Sequence, residues 1–344
     1  LKMYSVKGLF SQNIGSKLRV ESDEKILTVR KGFYNWLPRI AYSNSKFYEN
    51  AGMKAFLSYV KLNGMPDIIH VHSICYAGAL ALKINKKFGV PFGITEHSSS
   101  YARGLFQSWE IKLIKKVVTK SSFNIAVSEK FRDLLISIIP NSKWHYIPNI
   151  LPPQFNNVEI KPEGNDSFVF CNVSILTANK GIDTLIKAFT KITCNADNVY
   201  LHLIGDGVER MSLEKLVNEL GVDNKVKFLG IQSRENIVEY LKKIDSYVLA
   251  SSYETFGISL IEALAFGLPS VATKCGGAES IIRNGVNGYF CEINDFESMA
   301  DAMLKVYNNY PNFNKDEISQ DCKDRFGEQT VVKQLLNFYK QVVN

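Results

Sequence analysis

Two glutamates, Glu254 and Glu262, stand eight residues apart in the segment ETFGISLIE. The residues from Gly257 to Phe266 are apolar on almost every side, which is typical of a buried helix. A buried carboxylate without a partner is costly or takes up a proton. Glu262 is therefore suited to accept hydrogen bonds from the hydroxyl groups of a ligand, such as those of a ribose.

Glu254 follows the strand-like segment SYVLAS, and ligands of open α/β sheets bind beyond the carboxyl ends of the strands. The next residues begin the helix, so the amides of Gly257 and Ile258, beside Phe256, face the same side. A helix N-terminus is a favourable site for phosphate. A sugar at Glu254, a diphosphate at the amides and a ribose at Glu262 would together make a nucleotide-sugar.

The same two glutamates also have a purely structural explanation. Glu254 would be an acid at a helix N-terminus, where the helix dipole favours a negative charge. Glu262 would be held in place by a lysine partner. The two explanations differ in whether these carboxylates line a ligand site or only stabilise the fold.

Three further loops follow strand-like segments and carry residues that suit the same ligand. Ser174 begins the loop SILTANKG, in which Lys180 stands at a helix start where a cation would meet a phosphate. Gly205 begins GDG after a strand, although the spacing is not that of a dinucleotide fingerprint. Gly276 and Gly277 let backbone amides approach a ligand closely. Four strand ends of one region thus carry ligand-compatible residues.

Strand-like and helix-like segments alternate from Pro66 onward, which favours parallel βαβ units. The Pro- and Asn-rich stretch IPNILPPQFNNVEIKPEGND interrupts this alternation and is typical of an interdomain linker. The sequence therefore predicts an α/β protein with two Rossmann-like domains in tandem and a cleft between them. The predicted bounds are residues 1–160 for the first domain, 161–326 for the second and 327–344 for a closing helix.

The composition is that of a globular chain of 344 residues, 46% hydrophobic and 22% charged, without an apolar run long enough to span a membrane. The net charge of +7 suits an anionic ligand, a lipid surface or nucleic acid, and equally a lysine-rich proteome. The basic stretch from Trp109 to Lys120 predicts an amphipathic helix. Such a helix either touches an anionic membrane or is an ordinary surface helix with Leu113 and Val117 towards the core, and the second is favoured.

The six cysteines are scattered, which is typical of the buried thiols of a cytosolic protein rather than of a metal site. His70 and His72 form an i, i+2 pair in one apparent strand. The pair has the spacing of two metal ligands, but it more readily marks the end of a buried strand. No Asp-x-Asp metal clamp occurs in the chain, so we expect no catalytic metal.

These motifs together closely resemble the retaining GT-B glycosyltransferases of the glycosyltransferase group 1 type, the branch of glycogen synthase and sucrose synthase. The resemblance rests first on the Glu-x7-Glu pair of ETFGISLIE with LAFGLPSVAT and GGAESI after it. It extends from about Pro66 to Gly288, and the other matching segments, in the family's order, are DIIHVHS, ITEHS, IAVSE, YIPN, NKGIDTLIKAF, LIGDG and VKFLG.

The resemblance implies an N-terminal domain that binds the acceptor and a C-terminal domain that binds a UDP- or GDP-linked sugar. Glu254 would contact the donor sugar, Glu262 the ribose and Lys180 the diphosphate. His97, in ITEHS, matches the cleft histidine near the transferred sugar. The implied catalytic residues are His97, Glu254 and Lys180. The implied donor-binding residues are Ser174, Lys180, Gly205, Glu254, Phe256, Gly257, Ile258 and Glu262.

Two departures from the family pattern stand out. Members usually carry Gly-Arg where this chain has Ser174-Ile175, so Lys180 is the visible cation left for the diphosphate. The family also begins with a strand and a glycine-rich loop, whereas the residues before Pro66 show strand-like patches and no clear βα start. Gly8 and Gly15 match that loop poorly, so we expect the N-terminal domain to be incomplete.

The predicted function is that of a hexosyltransferase (EC 2.4), which moves a sugar with retention to a saccharide or lipid-linked acceptor and needs no cofactor. Cell-surface polysaccharide or lipid-linked glycan synthesis is the expected setting, in the cytoplasm or peripherally at the inner membrane face. One rival is a nucleotide-sugar epimerase, which would convert the donor without an acceptor. The other is a non-catalytic nucleotide-sugar-binding protein, which the missing arginine and glycine loop favour. Nucleic-acid binding rests on net charge alone and is not expected.

Overall fold

The computed structural model describes residues 18–23, 26–32, 41–156, 167–194 and 196–343. In chain order the strands are β1 Leu18–Asp23, β2 Ile26–Lys31, β3 Ile69–His72, β4 Phe92–Glu96, β5 Phe123–Ala126, β6 His145–Tyr146, β7 Phe168–Val173, β8 Val199–Ile204, β9 Val226–Gly230, β10 Ser246–Leu249, β11 Ser270–Thr273 and β12 Gly288–Cys291. The helices are α1 Ala41–Asn63, α2 Ala79–Phe88, α3 Ser108–Lys120, α4 Glu129–Ile138, α5 Ile182–Thr193, α6 Arg210–Glu219, α7 Arg234–Leu241, α8 Ile258–Leu264, α9 Phe296–Asn309, α10 Lys315–Phe326 and α11 Glu328–Val343.

Strands β3 to β12 form two separate parallel sheets, so the predicted α/β class is confirmed. The first sheet has the order β3-β4-β5-β6 and the second the order β12-β11-β10-β7-β8-β9. Helices on both faces cover the strands, which explains why runs such as FVFCNV are apolar without alternation. The domain bounds remain a prediction, and residues 157–166 of the predicted linker lie outside the described residues.

The strand order of the second sheet reverses between β7 and β10. From β7 the chain proceeds outward through β8 and β9, then returns to β10 on the other side and proceeds through β11 and β12. Loops leaving β7 and β10 therefore diverge to opposite faces of the sheet and leave a crevice between them, which is where ligands bind in open α/β sheets. The side chain of Asn172 joins the two strands by donating to the carbonyl of Val248 at 2.8 Å.

The segment before the first parallel sheet differs from the expectation of strand-like patches alone. Strands β1 and β2 form an antiparallel hairpin, but helix α1 occupies 23 residues in which the sequence indicated no element. The helical segment after β3 is divided, because Ile74–Gly78 forms a π-helical turn before α2 begins. The predictions about a glycine loop at Gly8 or Gly15 lie outside the described residues.

The final helix, α11, packs against the first sheet although it follows the second. Its Phe338 ring lies 5.4 Å from the ring of Phe123 in β5, centre to centre, and its Tyr339 hydroxyl lies 2.5 Å from Nδ1 of His70. Where the chain leaves and re-enters the first half, Leu151 N donates to the carbonyl of Phe326 at 2.8 Å. The two connections between the sheets therefore run side by side.

Within the described ranges, no helix combines the length and the apolarity that a bilayer span requires. Helices α8 and α9 instead place apolar residues such as Leu260, Ile261 and Met303 in the core of the second half.

Gly205 makes possible the close approach of the loops after β7 and β8. Its φ is +130°, and a Cβ at this position would lie 1.8 Å from the carbonyl oxygen of Ser174. We expect Gly205→Ala to lower the free energy of unfolding by about 2–4 kcal/mol, because strain and a backbone clash add. Gly221→Ala is the matched control, since its φ is +67° but nothing lies within 4 Å. Equal losses in urea unfolding for the two variants would contradict this explanation.

Candidate functional site

The carboxyl ends of the two sheets face each other. Helix α4 begins directly after β5, and its Glu129 amide donates to the hydroxyl of Ser280, in the turn after β11, at 3.1 Å. Arg325 of α10 donates to the carbonyls of Ser280 and Ile281, which holds this turn in place. Residues at the strand ends of both sheets therefore border one cleft.

Lys180 and Glu254 form an ion pair at the crevice between β7 and β10. The Lys180 Nζ lies 2.5 Å from the Glu254 Oε1, and the hydroxyl of Ser251 donates to the same oxygen at 2.9 Å. Both side chains are largely shielded, at 23% and 18% exposure. The structure thus brings these two predicted residues together, and the carboxylate neutralises the charge of the lysine.

The backbone around this pair is held by close contacts between neighbouring loops. Gly181 has a φ of +61°, and a Cβ there would lie 2.2 Å from the carbonyl oxygen of Ala250, so the loop after β7 rests on the loop after β10. Ser252 N also donates to the carbonyl of Asn179 at 2.9 Å. On the other side, Glu254 N donates to the carbonyl of Cys275 at 2.9 Å. Glu254 is therefore fixed from both neighbouring strand ends.

Phe256 and Gly257 link this loop to helix α8. The ring of Phe256 is 1% exposed and packs on the ring of Phe326, with 5.6 Å between the ring centres. Any contact between Phe256 and a nucleotide-sugar would therefore involve its backbone. Gly257 adopts a φ of +110° and Ile258 begins the helix with 41% of its surface exposed. Helix α8 is only seven residues long, and its first amides point towards the cleft side of β10.

Glu262 is buried in α8 and has a partner that sequence reasoning missed. Its side chain is 6% exposed and lies 2.6 Å from Nη1 of Arg234, the first residue of α7 after β9. Burial raises the pKa of Glu262, and the Arg234 hydrogen bond partly offsets that rise. The expected lysine partner is thus wrong, because the cation is an arginine whose own side chain stays 54% exposed. Its position directly after a strand end was the signal that could have identified it.

Ser174 and Gly205 lie at the ends of β7 and β8. The Ser174 hydroxyl donates to Oδ1 of Asn172 at 2.7 Å, and the adjacent Ile175 side chain is 67% exposed. Arg210, the first residue of α6 after β8, is bound to Glu214 at 2.8 Å. Where the family pattern has an arginine, this chain therefore presents an exposed apolar side chain.

His97 follows β4 and lies on the first sheet's side of the cleft. Its Nε2 is 2.9 Å from Nδ1 of His72, and the side chain of Asn149 also hydrogen-bonds it. Burial, with the neighbouring His72, lowers the pKa of His97 to about 4, so the ring is neutral at pH 7. His70 faces away, with Nε2 at 2.8 Å from the Thr95 hydroxyl, so the described contacts join it to the fold rather than to a metal.

Glu96 anchors the loop that carries His97, and sequence reasoning did not identify it. This carboxylate is 1% exposed and accepts hydrogen bonds from the amides of Ile74, His97 and Ser98, each at 2.8 Å. The hydroxyl of Tyr101 donates to it at 3.2 Å. Burial raises the pKa of Glu96, and these hydrogen-bond donors offset that rise only in part. The buried carboxylate of Glu96 therefore holds the loop after β4 in place through these hydrogen bonds.

Known proteins share this sequence pattern and this fold. A family profile described as Glycosyltransferase Family 4 matches residues 19–155, and one described as Glycosyl transferases group 1 matches residues 154–324. N-acetyl-alpha-D-glucosaminyl L-malate synthase of Bacillus anthracis is 30% identical over 178 residues, or 51% of this chain. That alignment covers 46% of the Bacillus enzyme, so the matched part spans about half of that relative.

Two solved structures show the same arrangement of both sheets. Sucrose-phosphate synthase from Thermosynechococcus elongatus aligns with a TM-score of 0.76 at 19% identity, over 94% of this chain and 82% of that chain. The Anabaena protein HepE, in complex with UDP and glucose, aligns with a TM-score of 0.69 at 21% identity, over 83% of this chain and 81% of that chain. At these identities the likeness establishes the fold.

The Arg234–Glu262 pair predicts a pH-dependent stability. Because the folded pKa of Glu262 is raised, the folded state binds more protons than the unfolded state as this group titrates, and stability falls as pH rises. Removing the arginine raises that pKa further. We expect Arg234→Met to lower the free energy of unfolding by about 1–2 kcal/mol at pH 7 and by less at pH 5. This magnitude is smaller than that for a fully buried pair, because solvent screens the half-exposed arginine.

The double variant Arg234→Met/Glu262→Gln is the control, because it removes the unpaired buried charge. Urea unfolding should show that it regains most of the lost stability at pH 7. A loss in Arg234→Met that is the same at both pH values would contradict the assignment.

Proposed function

The chain belongs to the group 1 glycosyltransferases, and we propose that it transfers a sugar with retention from a UDP- or GDP-linked donor to a saccharide or lipid-linked acceptor. Members of this family are transferase enzymes, and the fold is that of GT-B glycosyltransferases. The observation that carries the proposal is the pairing of each predicted donor-binding carboxylate with a cation at the strand ends: Glu254 with Lys180 and Glu262 with Arg234. The UDP and glucose bound by the Anabaena neighbour support a donor of this class.

Donor binding in this proposal is an exchange of partners. A diphosphate takes over Lys180, and hydroxyl groups of the transferred sugar take over Glu254, so both charges exchange one polar partner for another. In the same way ribose hydroxyls donate to Glu262, which frees part of the hydrogen-bonding capacity of Arg234. Each carboxylate thus keeps a hydrogen-bond donor beside it both before and after the nucleotide-sugar binds, which keeps the penalty for desolvating its charge small.

The chemical step breaks the bond between the anomeric carbon and the diphosphate oxygen and forms a bond from that carbon to an acceptor hydroxyl. Negative charge grows on the leaving phosphate, and Lys180 lies where a fixed cation lowers the energy of that charge. The acceptor hydroxyl loses its proton as the new bond forms, and the leaving diphosphate oxygen, which gains negative charge in the same step, takes that proton. The neutral ring of His97 lies on the opposite side of the cleft and would contact the sugar undergoing transfer. No nucleophile and no metal are assigned to this step.

The acceptor is proposed to be a growing cell-surface polysaccharide or a lipid-linked glycan, which places the protein at the inner membrane face. Helix α3 supports this setting through its outward lysines, since Lys112, Lys115 and Lys116 are exposed whereas Val117 is buried. Leu113 is partly buried against the same core. Any attraction to anionic lipids would thus come from charge on the outer face, because the apolar face is already covered.

Nucleotide binding tests the proposal directly. In a thermal-shift and calorimetry panel of UDP, GDP and ADP, we expect one nucleotide at 100 times its Kd to raise the melting temperature by about 5 °C. Glu262→Ala should abolish that rise, because the ribose loses its acceptor. Glu297→Ala, which alters an exposed carboxylate 59% open to solvent, is the matched control and should retain it. A full response in Glu262→Ala would contradict the ribose assignment.

The rival functions separate in the turnover assay that follows. Conversion of the nucleotide-sugar without any acceptor would identify an epimerase, and binding without turnover over a broad acceptor panel would identify a non-catalytic binder. Release of nucleoside diphosphate that depends on a saccharide or lipid-linked acceptor would support the transferase.

Lys180 offers a second test that concerns the phosphates alone. We expect Lys180→Met to weaken the affinity for the preferred nucleoside diphosphate about 10–100-fold, the range of a charge-assisted hydrogen bond. Affinity for the corresponding nucleoside, which lacks phosphates, should change less than twofold in calorimetry. Lys187→Met, on the exposed side of α5 beside Asp183, is the control. An equal loss for nucleoside and diphosphate would show that Lys180 acts through the fold.

A further inference from the structure

His72 is a residue that the proposed function leaves without a role, although it lies beside the cleft. It is the last residue of β3, and β3 pairs with β4 so that His72 is opposite Thr95. His97 follows β4 by one residue. The two imidazoles therefore meet at the same edge of the first sheet, where Nδ1 of His72 lies 2.9 Å from Nε2 of His97.

The contact is a hydrogen bond in the ring planes and not a face-to-face stack. The two planes differ by 18° and the ring centres are 5.2 Å apart. Stacked rings would keep their atoms at van der Waals separation, about 3.5 Å or more, which the nitrogen–nitrogen distance of 2.9 Å excludes. Rings that are nearly coplanar and joined edge to edge give both values.

The direction of this bond follows from the groups around His97. Burial lowers the pKa of both His72 and His97, so both rings are neutral at pH 7 and one must donate while the other accepts. A side-chain hydrogen bond with Asn149 raises the pKa of His97, against the effect of burial. Because Nε2 of His97 faces His72, Nδ1 is the ring nitrogen that remains for Asn149. With its proton on Nδ1, His97 presents the lone pair of Nε2 to Nδ1–H of His72.

On this basis, which rests on the proposed function for the role of His97, we propose that His72 is a positioning residue that fixes the ring plane and the tautomer of His97. His70 cannot take its place, because its two nitrogens face Tyr339 and Thr95. Glu96 fixes only the backbone of His97, through the amides. The orientation of the His97 side chain thus depends on His72 and Asn149 before any nucleotide-sugar binds.

Three substitutions of His72 separate this role from simple packing. His72→Asn places its amide nitrogen where Nδ1 stood and keeps the donor, whereas His72→Gln places it one bond further out. His72→Phe keeps an aromatic ring without a donor. We expect kcat to fall about 10–100-fold in His72→Phe and in His72→Gln, with the donor KM changed less than twofold. We expect His72→Asn to regain kcat to within about fivefold of the wild type.

The tautomer is measured independently of turnover, by nitrogen–proton correlation spectra of ring-labelled histidine at pH 7. His97 should carry its proton on Nδ1 in the wild type and in His72→Asn, and should be a mixture of tautomers in His72→Phe. If His72→Phe does not fold, the Asn and Gln variants and the wild-type spectrum still decide. A wild-type proton on Nε2, or equal kcat in the Asn and Gln variants, would overturn the proposal. Absence of wild-type turnover with the expected tautomer would instead count against the proposed function.

Discussion

The reversal of strand order between β7 and β10 decides where charged side chains can stand in the second half of the molecule. Chain segments leaving these two strands turn to opposite faces, so the crevice between them is open to ligands and closed at its base by Asn172, which bonds β7 to β10. Lys180 lies in the loop that follows β7, and Glu254 lies in the loop that follows β10. Their ion pair exists because the topology places the two loops side by side, and the glycine at 181 lets the backbones touch.

The charges of the candidate site compensate one another in two ion pairs, which limits what a ligand can gain from binding there. Each of the two carboxylates has a cation within hydrogen-bonding distance, and both cations are more exposed than the carboxylates they serve. A ligand therefore gains little from charge alone and must supply hydroxyl and phosphate groups in the right places. Such an arrangement favours selectivity over affinity. A ligand that lacks one of these groups cannot replace the partner in the corresponding ion pair and gains nothing there.

The sequence predicted the strand-end residues well because their position depends on local pattern. Apolar runs mark buried parallel strands, and whatever follows them lies at the ligand edge, which identified Lys180, Glu254 and the glycine at 205. Arg234 was missed because charge and spacing do not say which carboxylate, 28 residues further on, a side chain will reach. Helix α1 was missed because its aromatic-rich stretch lacks a clean helical period, and the His72–His97 bond because it forms between strands 25 residues apart in sequence.

The return of α11 to the first sheet gives the molecule a mechanical property. The outgoing segment at Leu151 and the returning segment at Phe326 are bonded to each other, so the two connections between the halves lie side by side. Rotation about these connections would break the hydrogen bond from Glu129 to Ser280, whereas separation of the halves would also strip Phe338 from Phe123. The two halves should therefore move as hinged bodies about their two connecting segments, and this motion would bring the strand ends of the two sheets closer together or further apart.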